Sequence, residues 1–206
     1  MRKGRRCPRC GSSNTAEILY GMPAFSEKLE RDVNEGKLAL GGCIVRSVPV
    51  NGVAVHCDPK RLCNVCGRVF GAPPLLIAKD YSSAEDYRDI VVEIRFKVGG
   101  FFQGWKELTV HKTKHGAHAE WSVIPDFSNG KRDLSQKEWE SLLDDLYAKM
   151  YLHEWKKSFV DPHVMDGEQW ELSIKLIGSR QRNYHGSNAY PPYWETLMKL
   201  FKSLMK

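Results

Sequence analysis

The chain has 206 residues, 42% of them hydrophobic, a mean hydropathy of −0.46 and a formal net charge of +6. That is enough apolar material for one large core or two small ones, and no apolar run approaches the ~18–20 residues of a membrane-spanning helix. The start, Met1-Arg2-Lys3-Gly4-Arg5-Arg6, is basic and leads into a cysteine pair with no apolar h-region, so no secretory signal is expected and cytoplasm is the expected compartment.

The first motif is Cys7-Pro8-Arg9-Cys10-Gly11. A short strand is expected over Ala16 to Tyr20, broken by Gly21-Met22-Pro23. Pro23 suits a helix entry, and Phe25, Leu29 and Val33 recur at the spacing of an amphipathic helix, with Gly36 placed to end it. Lys37 to Val50 reads as extended, interrupted by Gly41-Gly42. Val48 to Val55 carries a hairpin signal, because Asn51-Gly52 supplies the two positive-φ residues of a type I′ turn; Pro49 implies an edge strand. The second motif is Cys63-Asn64-Val65-Cys66-Gly67, and Arg68-Val69-Phe70 reads as the strand after it.

Four thiolates satisfy a tetrahedral Zn²⁺, and the two-residue spacing lets both sulfurs of one turn reach the same ion. The glycine after each second cysteine suits a positive φ, and such a turn aims N–H groups at the sulfurs. The expected site is therefore a zinc ribbon with Cys7, Cys10, Cys63 and Cys66 as ligands. A disulfide pair or an iron–sulfur cluster would use the same residue type in other compartments or spacings. Positions 11–62 separate Cys10 from Cys63, 52 residues against the roughly 15–20 of the compact pattern. A structureless loop of that length is improbable, so the insert should hold its own strands and a helix. Cys43 and Cys57 remain, read as buried free thiols, with a further metal site including His56 as the alternative.

Gly71-Ala72-Pro73-Pro74 is the expected boundary, giving a zinc-ribbon domain over 1–72 and an α+β domain over 80–206. Ile90 to Val98 alternates as a strand with one buried face. Val98 to Gly104 is Gly-rich but joins two strands, Trp105 to Thr113 and His118 to Ile124 being the next. His111, His115 and His118 cluster there around a Lys114-His115-Gly116 turn. They are read as surface hairpin histidines that do not share one face, with a metal or acid–base site as the alternative. Ser135 to Glu138 is a capping box ahead of a helix with Trp139, Leu142, Leu143, Leu146 and Met150 on one stripe. Tyr151 to Val160 fits a helix continuation or a strand. Gln169 to Leu176 alternates, Arg182 to His185 is a short strand, and Pro191-Pro192 start a last helix with Trp194, Leu197, Met198, Phe201 and Leu204. Gly186 to Trp194 reads as packing, or as a helix N-terminus that could hold an anion or a base. An antiparallel sheet with helices on one face is the expected architecture. The likeness of Trp139–Leu146 to Trp194–Phe201 raises a duplicated βββα unit.

Charge is unevenly placed. Residues 1–79 hold 13 Lys+Arg and 6 Asp+Glu, a balance of +7, whereas 80–206 hold 18 and 19, a balance of −1. Arg2, Lys3, Arg5, Arg6 and Arg9 crowd the first nine positions, which suggests phosphate contacts with nucleic acid; a solvated tail is the plain alternative. No phosphate loop, nucleophile elbow or paired-carboxylate motif is present. The leading class is therefore a non-catalytic zinc-binding protein that touches nucleic acid or a nucleic-acid-handling partner. The second is a protein-docking adaptor with a purely structural ribbon, and the third an enzyme using the C-terminal domain.

The run Cys7-Pro8-Arg9-Cys10-Gly11, Tyr20-Gly21-Met22-Pro23, Gly41-Gly42-Cys43 and Cys63-Asn64-Val65-Cys66-Gly67 resembles small bacterial zinc-ribbon proteins of unassigned function. Trp170-Glu171-Leu172 with Gly186 to Pro191 resembles another recurring bacterial pattern. Neither resemblance implies an activity or catalytic residues. His56-Cys57 ahead of the second motif departs from the first pattern.

Overall fold

The computed structural model describes residues 5–100, 103–164 and 166–205; Arg2 and Lys3 of the basic start, and Phe101 and Phe102 of the Gly-rich stretch, lie outside the described residues. The fold is α+β, and the chain divides into two compact units. One holds the described residues up to Tyr87 together with Tyr147–Glu154, and the other holds Arg88–Leu146 and the described residues from Trp155 on.

In the first unit a four-stranded sheet has the order β2-β1-β5-β6. β1 (Thr15–Leu19) runs parallel to β2 (Leu38–Leu40) and antiparallel to β5 (Arg61–Cys63), which pairs with β6 (Val69–Phe70). The parallel pair needs a crossover, supplied by α1 (Glu27–Asn34). That helix starts later than Pro23 suggests, because the Ser26 hydroxyl accepts the Leu29 N–H at 3.1 Å and caps it. Phe25 therefore falls outside the helix and is exposed, and no residue of α1 is buried. β3 (Ser47–Val50) and β4 (Val53–His56) form the hairpin that Asn51-Gly52 implies, with φ of 50° and 81° at the turn. β7 (Leu75–Ile77) and β8 (Ala84–Asp86) make a second hairpin.

The small core of this unit is completed by the returning segment. Ala16, Val48, Phe70, Ala84 and Tyr87 are buried, and so are Tyr147, Met150, Tyr151 and Leu152. Tyr147 stacks on Tyr87 with centroids 5.1 Å apart, and Tyr151 meets Phe70 edge-on at 5.6 Å. Glu154 Oε1 accepts the Gly71 N–H at 2.8 Å. The stretch from Tyr151 to Val160 is thus a 3₁₀ turn at Leu152–Glu154 and then a strand, β13 (Ser158–Val160).

After the single turn α2 (Tyr87–Ile90), whose Tyr87 belongs to the first unit, the second unit holds a seven-stranded sheet. Its strands are β9 (Val91–Gly100), β10 (Gly104–Thr113), β11 (Gly116–Ile124), β12 (Ser128–Ser135), β13, β14 (Gln169–Leu176) and β15 (Gln181–Ser187), in the order β12-β11-β10-β9-β14-β15-β13. All pairings are antiparallel except β13 with β15, which is parallel. Four strands precede α3 (Gln136–Asp144) and three precede α4 (Trp194–Leu204). The capping box at α3 is present, with Ser135 and Glu138 exchanging both bonds. One sheet face is apolar: Ile94, Phe96, Leu108, Val110, Ala119, Trp170, Leu172 and Ile174 are buried. Trp139, Leu142 and Leu143 of α3 and Leu197, Phe201 and Leu204 of α4 are buried with them, Phe201 lying 4.8 Å from Phe96. The Gly186–Trp194 stretch packs: Trp170 is fully buried and donates its indole N–H to the Ala189 carbonyl at 2.9 Å, and Tyr190 and Trp170 lie 4.9 and 5.1 Å from Trp194.

Candidate metal centre

The two Cys-x-x-Cys-Gly turns fold alike for a local reason. In the first, the Gly11 N–H donates to the Cys7 carbonyl and the Cys7 N–H to the Ser12 carbonyl, both at 2.9 Å. In the second, Gly67 donates to Cys63 and Cys63 to the Arg68 carbonyl, both at 2.9 Å. The tight ring needs a left-handed residue at the glycine, with φ of 76° at Gly11 and 70° at Gly67. Pairing of β1 with β5 then sets Thr15 opposite Cys63 and brings the turns together across the long insert. Asn64, inside the second turn, ties them further. Its N–H reaches the Asn14 carbonyl at 3.1 Å, and its side-chain NH₂ reaches Asn14 Oδ1 and the Gly36 carbonyl, both at 2.8 Å. Sequence reasoning passed over Asn64, since nothing in a Cys-x-x-Cys pattern marks the intervening residues.

The four sulfurs of Cys7, Cys10, Cys63 and Cys66 lie within 4.8 Å of one another. Cys7 and Cys66 are 3.7 Å apart, and Cys10 and Cys63 are 3.5 Å apart. A disulfide would need ~2.05 Å. A tetrahedron of sulfurs ~2.3 Å from one Zn²⁺ has edges of ~3.8 Å, so the donor set fits such an ion. Backbone N–H groups point at the sulfurs, among them Arg9 toward Cys7 at 3.4 Å. Without a cation the thiols of Cys7 and Cys63 do not ionise together. Burial pushes Cys7 up to about 12. At Cys63 burial acts the same way, but the N–H groups of Cys66 and Val65 and the neighbouring thiols outweigh it and bring the group down to about 7. A divalent cation removes this conflict by stabilising all four thiolates. Cys7 and Cys63 are buried, and Cys10 lies at the surface.

Cys43 and Cys57 stay out of the cluster. Cys57 donates weakly to the Arg46 carbonyl at 3.5 Å. Cys43 is exposed, against the expectation of a buried thiol, because it sits in the Gly41–Arg46 loop beside exposed Ile44. Arg5, Arg6 and Arg9 are all exposed. Arg5, however, donates to the Tyr151 hydroxyl at 2.8 Å, with its guanidinium 5.9 Å from the ring centroid, so it is anchored rather than free to sweep. Lys60 and Arg68, at the two ends of the β5–β6 hairpin, are exposed cations that the sequence did not single out. In the other unit, His111 and His118 are register partners on β10 and β11 and so share one face, contrary to the reading from their spacing.

Among the described residues no helix is long and apolar enough to cross a membrane. Compared with known proteins, the chain matches no family model, no curated protein and no solved structure. The resemblance to bacterial zinc-ribbon proteins therefore rests on the quoted residues alone.

Proposed function

We propose that this is a zinc-ribbon protein in which four thiolates hold a structural, non-catalytic Zn²⁺, and that the basic surface of the ribbon binds nucleic acid. The observation that carries the metal assignment is the four-sulfur constellation. It supplies four protein ligands and leaves no position for water or substrate, the property that separates structural from catalytic zinc. A single iron takes the same donor set, so elemental analysis decides between them. About one zinc per chain supports the proposal, and iron in its place overturns it. The nucleic-acid reading rests on the +7 balance of residues 1–79 and on exposed Arg6, Arg9, Lys60 and Arg68. Phosphate contacts position a protein without reading sequence. Four such contacts give a log K against log [salt] slope of about −3.6 on duplex DNA. Titration of labelled single- and double-stranded DNA and RNA across salt concentrations measures it. Replacing Arg9, Lys60 and Arg68 by Gln should flatten the slope by about 3. Absent binding, or an unchanged slope, refutes this reading.

A second reading, protein docking, is favoured by one feature. A hollow of about 520 Å³ on the ribbon sheet is lined by Ile18, Tyr20, Leu40, Ile44, Leu62 and Val69. Leu40, Ile44 and Val69 are exposed there, as an apolar contact patch would be. For the third class, an enzyme, the open sheet face offers a hollow of about 360 Å³ with Arg95, Lys97, Glu107 and Glu171. Lys97 and Glu107 already pair at 2.7 Å, and this hollow adds no argument for a reaction.

A further inference from the structure

The sheet of the second unit carries both helices on one face, and its other face is polar. The strand register fixes what meets on it. One row crosses β12, β11, β10 and β9 as Asp133, His118, His111 and Glu93, since His118 pairs with Asp133 and His111 pairs with both His118 and Glu93. His118 Nδ1 lies 2.6 Å from Asp133 Oδ1, and His111 Nδ1 lies 3.0 Å from Glu93 Oε2. Arg95 Nε holds the other Glu93 oxygen at 2.5 Å.

A carboxylate only accepts, so the Nδ1 that faces it is the N–H, and in the neutral ring Nε2 then carries the lone pair that a metal takes. Among the described residues nothing is hydrogen-bonded to either Nε2. The side chains are 43% and 32% exposed, which leaves the ring edges open to solvent. Directly opposed residues on antiparallel strands hold their Cβ atoms ~4.5–5.5 Å apart. Imidazoles with the far ring nitrogen set against a carboxylate are the arrangement that metal-bound histidines take.

We propose that His111 and His118 form a second metal site, for a divalent transition cation such as Zn²⁺, with Glu93 and Asp133 as positioning residues and water completing the coordination. Imidazole donors suit Zn²⁺, Cu²⁺ and Ni²⁺ and exclude Ca²⁺ and Mg²⁺, which take oxygen ligands. The proposal is independent of the cysteine centre, which lies in the other unit.

The test is calorimetric titration of the full chain with Zn²⁺ at neutral pH, after the cysteine centre has been loaded and excess metal removed. The wild type should take up a second, weaker equivalent. His111→Gln and His118→Gln should each lose it while keeping the first. Asp133→Asn should weaken it about tenfold or more; Asp133 is 89% exposed, so this change disturbs no core. His115→Gln, in the turn beyond the pair, should leave it unchanged. No second equivalent in the wild type, its persistence in both histidine variants, or its loss in His115→Gln overturns the proposal.

Discussion

His153 makes the first unit sensitive to acid, and the size of the effect follows from its surroundings. Its side chain is 9% exposed, and among the described residues neither ring nitrogen meets a hydrogen-bond partner. The rings of Tyr87 and Tyr147 stand 6.1 and 6.2 Å away, and Glu154 Oε1 is 3.7 Å from Nε2. Burial disfavours the charged ring and holds the group down at about 4, although the nearby Ala72 backbone and Asp86 pull the other way. The unfolded chain, at 6.5, therefore binds the proton first, and stability falls as pH drops below 6.5. The loss is about 1.4 kcal/mol at pH 5.5 and approaches ~3.4 kcal/mol below pH 4. Two other groups respond over the same range. Burial raises Glu154, so its stabilising contribution is complete at low pH and fades as pH rises through its folded value. Protonation of the cysteines weakens metal binding. The cysteine effect is present equally in a His153→Phe variant, whose ring keeps the aromatic packing, and Glu154→Gln in both chains removes the carboxyl that lies 3.7 Å from the imidazole. Urea unfolding of wild type and variant between pH 7.5 and 5.5, followed by the near-UV signal of the tyrosines, isolates His153 as the difference. The wild type should lose about 1.4 kcal/mol more than the variant across this range. Parallel pH profiles would show that His153 is already protonated or solvated in the fold, and the argument from burial would fail.

Three further outcomes are expected. Cys10→Ser should abolish stoichiometric metal retention and selectively expose the first unit to protease, since metal binding and folding are one free energy there; metal content and limited proteolysis check it. A fragment ending at Tyr87 should not fold alone. It lacks Tyr147, Met150, Tyr151 and Leu152, all buried and each worth ~1.5–3 kcal/mol when fully buried; a dispersed NMR spectrum of the zinc-loaded fragment would refute this. Gly186→Ala should cost more than about 2 kcal/mol in denaturant unfolding, because its Cβ would sit 2.1 Å from the Trp170 indole nitrogen and 2.6 Å from the Ala189 carbonyl.

Much of the fold was readable where a local rule decides the geometry. The Asn51-Gly52 hairpin, the capping box at Ser135, the alternation in β9 and β14 and the buried stripes of α3 and α4 all follow from adjacent residues. β12 was not readable. Its sequence, Ser128 to Ser135, buries only Leu134, so no alternation marks it; it exists because β11 offers an unpaired edge and because Gly130 makes room for the Trp121 ring. The return of Tyr147–Glu154 to the first unit was equally hidden. Its apolar residues announce burial but not which core receives them. β13 shows the same limit, since three residues do not reveal a parallel partner.

The same distinction governs the sites. Four cysteines in two identical turns state their partners in the motif itself, because the chemistry that needs four thiolates also dictates the spacing. Histidines on a hairpin state nothing until the register is known. A three-residue turn at Lys114-His115-Gly116 separates His111 from His118, whereas the two-residue turn that forms, with Thr113 opposite Gly116, sets them face to face. One residue of register decides which face every side chain takes. Arginines are harder still, because composition counts charges and not their partners. Five cations in nine positions looked like one flexible arm, yet Arg5 is fastened to Tyr151, 146 positions away. A basic surface must therefore be assembled from exposed cations that the fold brings together, Arg68 and Lys60 among them, rather than read from a run. That is why the salt-slope comparison replaces Arg9, Lys60 and Arg68 and leaves Arg5 in place: losing Arg5 would disturb the Tyr151 contact and weaken binding for a reason unrelated to phosphate.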